Sequence, residues 1–415
     1  MGGQTRGLDV TKGRAIDLMV RVWLYCYESF WREQRNMRLA IAHSVSFEAN
    51  EAAQSLIQQL DHQLGGETPQ AGLLFAAIDL EHQLLLRELT DRYRIPFIGC
   101  TTDGEMTSSG EFQEDSCCVG IFAGDDMKVT AALGRNISAD HVSAASEIRK
   151  QCDANLTPCM MIATPEAVTT SSVGIMTALQ HEFGRSFPIF GGLAADQWRF
   201  KQTVQFFERE TLTDALPVLI FYGNLKLGFG VASGWKPMGE KRQVTQSDSH
   251  VVLRIGDQTA TDFYGYYLGG GGEPLGEYPL AVFEDGHEFY LRAPLQVDME
   301  SECVAFAGDV PEGAAVQITH ATRDSILEAA RASVEQAKRT YPGSRPAASI
   351  LISCAARKQL LGTRTVEEFR LARAILGESI PIIGFYAYGE MSPLSKAEPS
   401  RFHNETFVTL IMGQE

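Results

Sequence analysis

One short pattern occurs three times in this chain and limits what it can fold into. The segments are Ile95-Pro-Phe-Ile-Gly99, Phe187-Pro-Ile-Phe-Gly191 and Ile380-Pro-Ile-Ile-Gly384. Each is an apolar residue, proline, two apolar residues and glycine. The first continues as Cys100-Thr-Thr-Asp-Gly-Glu-Met106 and the third as Phe385-Tyr-Ala-Tyr-Gly-Glu-Met391, so their Gly-Glu-Met triplets fall in register. The second diverges to Gly192-Leu-Ala-Ala-Asp196. A repeat of this length marks one supersecondary unit used several times.

The surroundings repeat too. Strand-like runs precede each copy (Leu73–Ala77, Met160–Ala163, Ile350–Ser353) and follow it (Val119–Phe122, Val218–Phe221, Phe407–Ile411). An amphipathic helix lies upstream of each. In the third copy Ile326, Ala330, Val334, Ala337 and Tyr341 share a face, with Ser325 and Glu328 as a capping box. In the first, Ala53, Leu56, Leu60 and Leu64 align before Gly65-Gly66. In the second, Val142, Ala145, Ile148 and Cys152 align. Opening strands are expected at Leu39–Ala42, Lys128–Ala132 and Ala315–Thr319.

The expected fold is therefore α/β, built from three strand-helix-strand-helix-strand units over 37–124, 127–223 and 314–413, with largely parallel sheets. A β-rich insert at 224–313 separates the last two, with runs at Thr245–Ile255, Tyr278–Phe283, Glu288–Leu291 and Cys303–Ala307 and a helix near Thr259–Leu268. Sheets of this kind bind ligands where loops converge at the carboxyl ends of strands. Residues 1–36 read as an extension without a counterpart in the other units. Their apolar stretch, Ala15–Trp31, carries Asp17, Arg21 and Glu28 and is too short to span a bilayer. No cleavage signal follows an apolar run.

The net charge of −16 argues against nucleic acid or an anionic membrane as the main partner. The eight cysteines include no Cys-x-x-Cys pair, no zinc spacing and no c-type haem motif, which suits reduced thiols in a cytoplasm. Gly269–Gly272 follows a helix rather than a strand, so it is no dinucleotide fingerprint.

Five segments together resemble the FIST family of bacterial sensory domains, across nearly the whole chain from Met37 to Met412. In the N-terminal part these are Ile98-Gly-Cys-Thr-Thr-Asp-Gly-Glu105 and Gly191-Gly-Leu-Ala-Ala-Asp196. In the C-terminal part they are Ser353-Cys-Ala-Ala-Arg357, Gly384-Phe-Tyr-Ala-Tyr-Gly-Glu390 and Phe402-His-Asn-Glu-Thr406, with Ala356 and Glu405 as departures from the pattern. Val304-Ala-Phe-Ala-Gly-Asp309 before Pro311-Glu-Gly313 also looks familial. The resemblance implies two FIST domains, at 37–223 and 224–413, in a cytoplasmic, ligand-binding protein of signal transduction rather than an enzyme. It is similar to stand-alone members that bind haem b, sense nitric oxide and regulate a partner histidine kinase or cyclic-di-GMP enzyme. The alternative is a sensor of a small organic ligand such as an amino acid, without haem. No phosphoacceptor, kinase or cyclase motif is recognised after Met412, so output is expected to act in trans.

Candidate ligand groups follow from the motif loops: Thr101, Thr102, Glu105, Asp196, Arg357, Tyr386, Glu390 and Asn404. The hydroxyls of Thr101, Thr102, Tyr386 and Tyr388 suit a small polar ligand. Glu105 and Glu390 either face a ligand amine or tie their own loops together. Arg357 either holds a carboxylate, a haem propionate included, or pairs with an acid such as Glu390. His403 is the candidate axial ligand for haem iron. His43 and His320, at the ends of the first and third opening strands, are its rivals. Cys354 lacks a recognisable base, so buried packing is the expectation.

Overall fold

A computed structural model describes residues 36–169, 171–269, 276–283 and 289–415. The expectations for residues 1–35, including Cys26, for most of Gly269–Gly272 and for Glu288 lie outside the described residues.

Three six-stranded sheets share one strand order. The first runs Arg38–Ser44, Cys117–Ala123, Pro69–Ala76, Phe97–Thr101, Gln205–Phe207, Glu210–Leu212. The second runs Met127–Arg135, Ala215–Gly223, Pro158–Ala163, Ile189–Gly192, Glu390–Pro393, Ser400–His403. The third runs Lys226–Ala232, Phe407–Gly413, Ala348–Cys354, Ile382–Ala387, Glu105–Thr107, Glu111–Gln113. The last two strands of every sheet come from a different unit. The hairpin after each proline-glycine strand leaves its own sheet and pairs antiparallel with another unit's proline-glycine strand. Unit one gives its hairpin to sheet three, unit three to sheet two, and unit two to sheet one.

Strand pairing departs from expectation in two ways. Each unit sheet contains a single parallel pair, because the closing strand and the exchanged hairpin both pair antiparallel. The third unit opens with Lys226–Ala232, paired along Phe407–Gly413, not with Ala315–Thr319. Ala315–His320 instead pairs with Leu280–Phe283 and Arg242–Asp248 inside the insert. Both segments are short and apolar on alternate positions, which one sequence cannot rank. The likeness of His320 to His43 therefore has no structural counterpart.

The insert interrupts the third unit after its first strand. It forms a nine-stranded sheet with the helix Ala260–Leu268 and its own core around Val252, Phe263, Val282, Phe306 and Ile318. Its strand Pro294–Asp298 lies at the end of the sheet's main strand order.

Strand residues alternate between two apolar environments, which is why the strands read as continuous apolar runs. One face of each sheet enters a shared central core. Phe75 stacks on Phe385 with ring centroids 4.3 Å apart. Phe122 meets Phe221 at 5.0 Å and Phe190 meets Phe229 at 5.5 Å, so all three pairs of sheets are joined. The other face packs under that unit's helices: Ala49–Leu64 and His82–Tyr93, Ser172–Phe183 and His141–Lys150, or Arg323–Thr340 and Val366–Leu376. Adjacent Cys117 and Cys118 enter opposite cores accordingly. Gly65 ends the first helix in the left-handed conformation. The third unit's long helix starts a turn earlier than expected: Thr322 caps it and Ser325 completes the box. In the second unit Ala144 takes a buried position and Val142 is exposed.

The repeated glycine has a common cause. Gly99, Gly191 and Gly384 each face the backbone of the parallel neighbour strand. A Cβ at any of them would overlap the carbonyl oxygen of Leu74, Ala163 or Leu351.

Candidate functional site

The carboxyl ends of the central strands meet where the three units clasp one another. The Ala195 N–H donates to Thr101 O at 2.8 Å, joining units two and one. Asp103 N–H donates to Tyr386 O and Tyr386 N–H to Gly104 O, both at 2.9 Å, joining units one and three. Leu193 N–H donates to Gly389 O at 3.0 Å, joining units two and three.

A cavity of about 1010 Å³ opens beside this junction. Unit one contributes Phe112 and Glu114, and unit two contributes Trp198 and Phe200. The insert strand contributes Pro294 to Val297. Unit three contributes Lys358 and Gln359 from the helix Ala355–Leu361, then Gly362, Thr363, Thr365 and Val366. Its size is at the upper end for small-molecule sites, and its mixture of apolar walls with few polar groups is typical of them.

The aromatic wall stands on a tight turn. Gln197, Trp198 and Phe200 all have positive φ (56°, 62° and 46°), a conformation costly for residues with side chains. Asp196 holds that turn. Its carboxylate accepts from the N–H groups of Phe200 at 2.9 Å, Lys201 at 2.8 Å and Gln202 at 3.1 Å, and from the Tyr388 hydroxyl at 2.7 Å. Burial opposes its charge, but these donors prevail and hold the carboxyl below its usual range. Tyr388 also stacks on Phe200 at 4.7 Å. Asp196 is thus a positioning residue beneath the wall.

Lys358 and Glu114 give the cavity its charged side and, with Asp103 behind them, form a three-residue cluster across units. Lys358 Nζ donates to Asp103 O and Oδ1, both at 2.9 Å, and lies 2.6 Å from Glu114 Oε1. Asp103 Oδ2 accepts from Trp198 Nε1 at 3.0 Å, so the cluster and the aromatic wall are one network. Burial pushes the Asp103 carboxyl up to about 6, against the pull of Lys358.

Other residues singled out in the sequence stand apart from this cavity. Thr101 is buried and its Oγ1 accepts from Val204 N–H. Glu105 is buried and accepts from the hydroxyls of Thr102 and Ser116. Glu390 accepts from Thr406 N–H at 3.0 Å and Oγ1 at 2.7 Å. Both glutamates therefore tie their own unit together, the hydroxyl in each case standing just before the closing strand. Arg357 is fully buried and pairs with Glu368 at 2.6 Å and 3.0 Å rather than with Glu390. Its Nη2 also donates to Ile326 O at 2.8 Å, and its Nη1 to Ser233 O. Tyr386 donates to Glu368 Oε2 at 2.7 Å. Asn404 is buried beside Glu405. His403 Nε2 bonds the Ser392 carbonyl at 2.9 Å, and burial lowers its pKa to about 4. His43 Nδ1 bonds Thr107 Oγ1 at 2.8 Å. Burial raises the Cys354 thiol well above its ordinary range, the opposite of nucleophile activation.

Trp198, Phe200, Phe112, Asp103, Glu114, Lys358 and the insert strand were not selected from sequence. Trp198 lies two residues past the Gly-Gly-Leu-Ala-Ala-Asp motif, Asp103 lies inside the first motif, and Lys358 follows Arg357. Their neighbours were the available signal.

Burial pushes the carboxyls of both Glu105 and Glu390 up to about 8, against the lowering effect of their hydroxyl donors. The ordinary value is 4.5, so the folded state binds more protons than the unfolded chain between those limits. Stability from this source is complete below about pH 4.5 and is lost as pH rises through about 8. Urea unfolding from about pH 5 to about pH 9 should show a fall on the order of a few kcal/mol. The Glu105→Gln/Glu390→Gln pair, which mimics the neutral forms, should flatten it. An unchanged slope in that variant would assign the fall to other groups.

A FIST N domain model matches residues 70–258 and a FIST C domain model matches residues 260–393. No curated protein matches the chain. Among solved structures, "Structure of PurLQS from Thermotoga maritima" is 10% identical, covering 92% of this chain and 73% of that one, with a TM-score of 0.23. "T. maritima PurL complexed with ATP" is also 10% identical, covering 91% and 71%, with a TM-score of 0.20. No helix among the described residues is long and apolar enough to cross a membrane. The two domain matches together take in most of the chain, which belongs to the FIST family of ligand-binding sensory domains in signal transduction.

Proposed function

We propose that this chain senses a small organic molecule held in the cavity between its FIST N and FIST C domains, and passes the signal to a separate protein. The observation that carries this reading is the composition of the cavity wall. Residues from all three units and the insert line it, and the Lys358–Asp103–Glu114 cluster crosses between units one and three. A ligand there touches every part of the molecule at once. Its binding energy can therefore bias how the parts sit together, which is what a sensor needs. A histidine kinase or a cyclic-di-GMP enzyme is the class of partner the family resemblance implies. The role is binding rather than catalysis.

Haem has weaker support at this cavity. Its described lining offers no imidazole or thiolate for iron. His403 would have to give up its Ser392 bond to serve.

The test is thermal unfolding across a panel of amino acids and other organic metabolites, because a ligand that binds only the folded state raises the midpoint. Trp198→Ala should weaken any hit at least about tenfold, as expected for loss of a buried aromatic contact. A hit that Trp198→Ala leaves untouched would place the site elsewhere. Growth with haem supply gives the second arm: a Soret band lost in His403→Ala would favour the haem reading instead.

A further inference from the structure

We infer that the ligand is an aromatic or conjugated carboxylate that takes the place of Glu114 on Lys358; this rests on the cavity being the sensory site. The argument starts from the lysine. An ammonium group has three donors and no acceptor. In Lys358 these face Asp103 O, Asp103 Oδ1 and Glu114 Oε1. The three acceptors are not equal. Asp103 is buried, and its second oxygen is engaged by Trp198 Nε1, so it stays. The Glu114 side chain is 53% exposed, whereas Lys358 is 14% exposed. A half-exposed carboxylate gains little from an ion pair and is readily rehydrated. Glu114 is therefore the exchangeable partner.

Replacing one carboxylate by another keeps Lys358 paired, and the displaced Glu114 is exposed enough to be hydrated instead. A ligand ammonium would meet the opposite situation. It would stand beside Nζ, with Glu114 already committed to the lysine. The rest of the lining sets the remainder of the ligand. Trp198 and Phe200 meet edge to face, with centroids 5.5 Å apart, and present two ring walls at 83°. Phe112 lines the same cavity. A flat unsaturated ligand body fits such a corner. Freed Glu114 then faces water at the rim, and Lys358 in unit three loses one of its ties to unit one. Ligand binding would thereby loosen a link between the two FIST domains.

The experiment uses three probes with one ring system and different charge: indole-3-acetate, indole-3-acetamide and tryptamine. Affinity is read by calorimetry on the full chain. Indole-3-acetate should bind at least about tenfold more tightly than the other two, the usual gain of a hydrogen bond to a charged group. Glu114→Gln should tighten the acetate, because the competitor is gone. Lys358→Met should erase the preference for it, with circular dichroism confirming the fold. Equal or tighter binding of tryptamine or the amide overturns the inference. Weaker acetate binding in Glu114→Gln, or no binding by any probe, overturns it too. The sensory reading fails separately, when no compound of the wider panel binds in a way that depends on Trp198.

Discussion

Gly99→Ala, Gly191→Ala and Gly384→Ala should each cost about 3 kcal/mol or more, at or above the upper end of overpacking costs, and should sharply reduce soluble protein. The Cβ added at each position meets a backbone carbonyl of the parallel strand, not a side chain that can turn aside. Relief would require the central strands to separate, and with them the exchanged hairpin paired on the other side. Gly313 is the control. It has φ of +88° and nothing within 4 Å of an added Cβ, so Gly313→Ala should cost only the local conformational penalty of about 1 kcal/mol. Urea unfolding of the four variants compares them directly. A Gly99→Ala protein as stable as Gly313→Ala would remove the steric account of the repeat.

Breaking the Arg357–Glu368 pair should cost about 3–5 kcal/mol, because it leaves an uncompensated buried charge. Both side chains are fully inaccessible. The pair is embedded further: Ser353 and Tyr386 donate to the second oxygen of Glu368, at 2.9 Å and 2.7 Å. Arg357→Met and Glu368→Gln should each lower the denaturation midpoint strongly. The Arg357→Met/Glu368→Leu double variant should recover part of the loss, since it removes both charges together. Because Arg357 is absent from the cavity's described lining, folded variants should retain indole-3-acetate affinity within about twofold. Wild-type stability in Arg357→Met, or a selective loss of binding, would return the arginine to the role of ligand contact that its motif suggested.

These two expectations show how far the sequence reached. The repeat was legible because a proline, two apolar residues and a glycine recur at a fixed place in a fixed local pattern. The helices were legible because their apolar spacing is a property of near neighbours, as at Leu56, Leu60 and Leu64. Partner choice was not. Glu105–Thr107 has the same local character whether it folds onto its own unit or pairs with Phe385, about 280 residues away. Ala315–Thr319 reads as the opening strand of the third unit, yet Lys226–Ala232, which carries two glycines, takes that place by pairing along Phe407–Gly413. Motif glutamates and Arg357 were visible as chemistry, yet depth decided their roles: the fully enclosed arginine pairs with Glu368, and full burial pushes the glutamates towards their neutral form. Trp198, Lys358, Glu114 and the Pro294–Asp298 strand carry no common signal in the chain. They come to line one cavity only when three sheets and the insert converge. Local periodicity is set by residues a few positions apart. A cavity is set by which distant surfaces exclude water together, and that is a property of the tertiary structure alone.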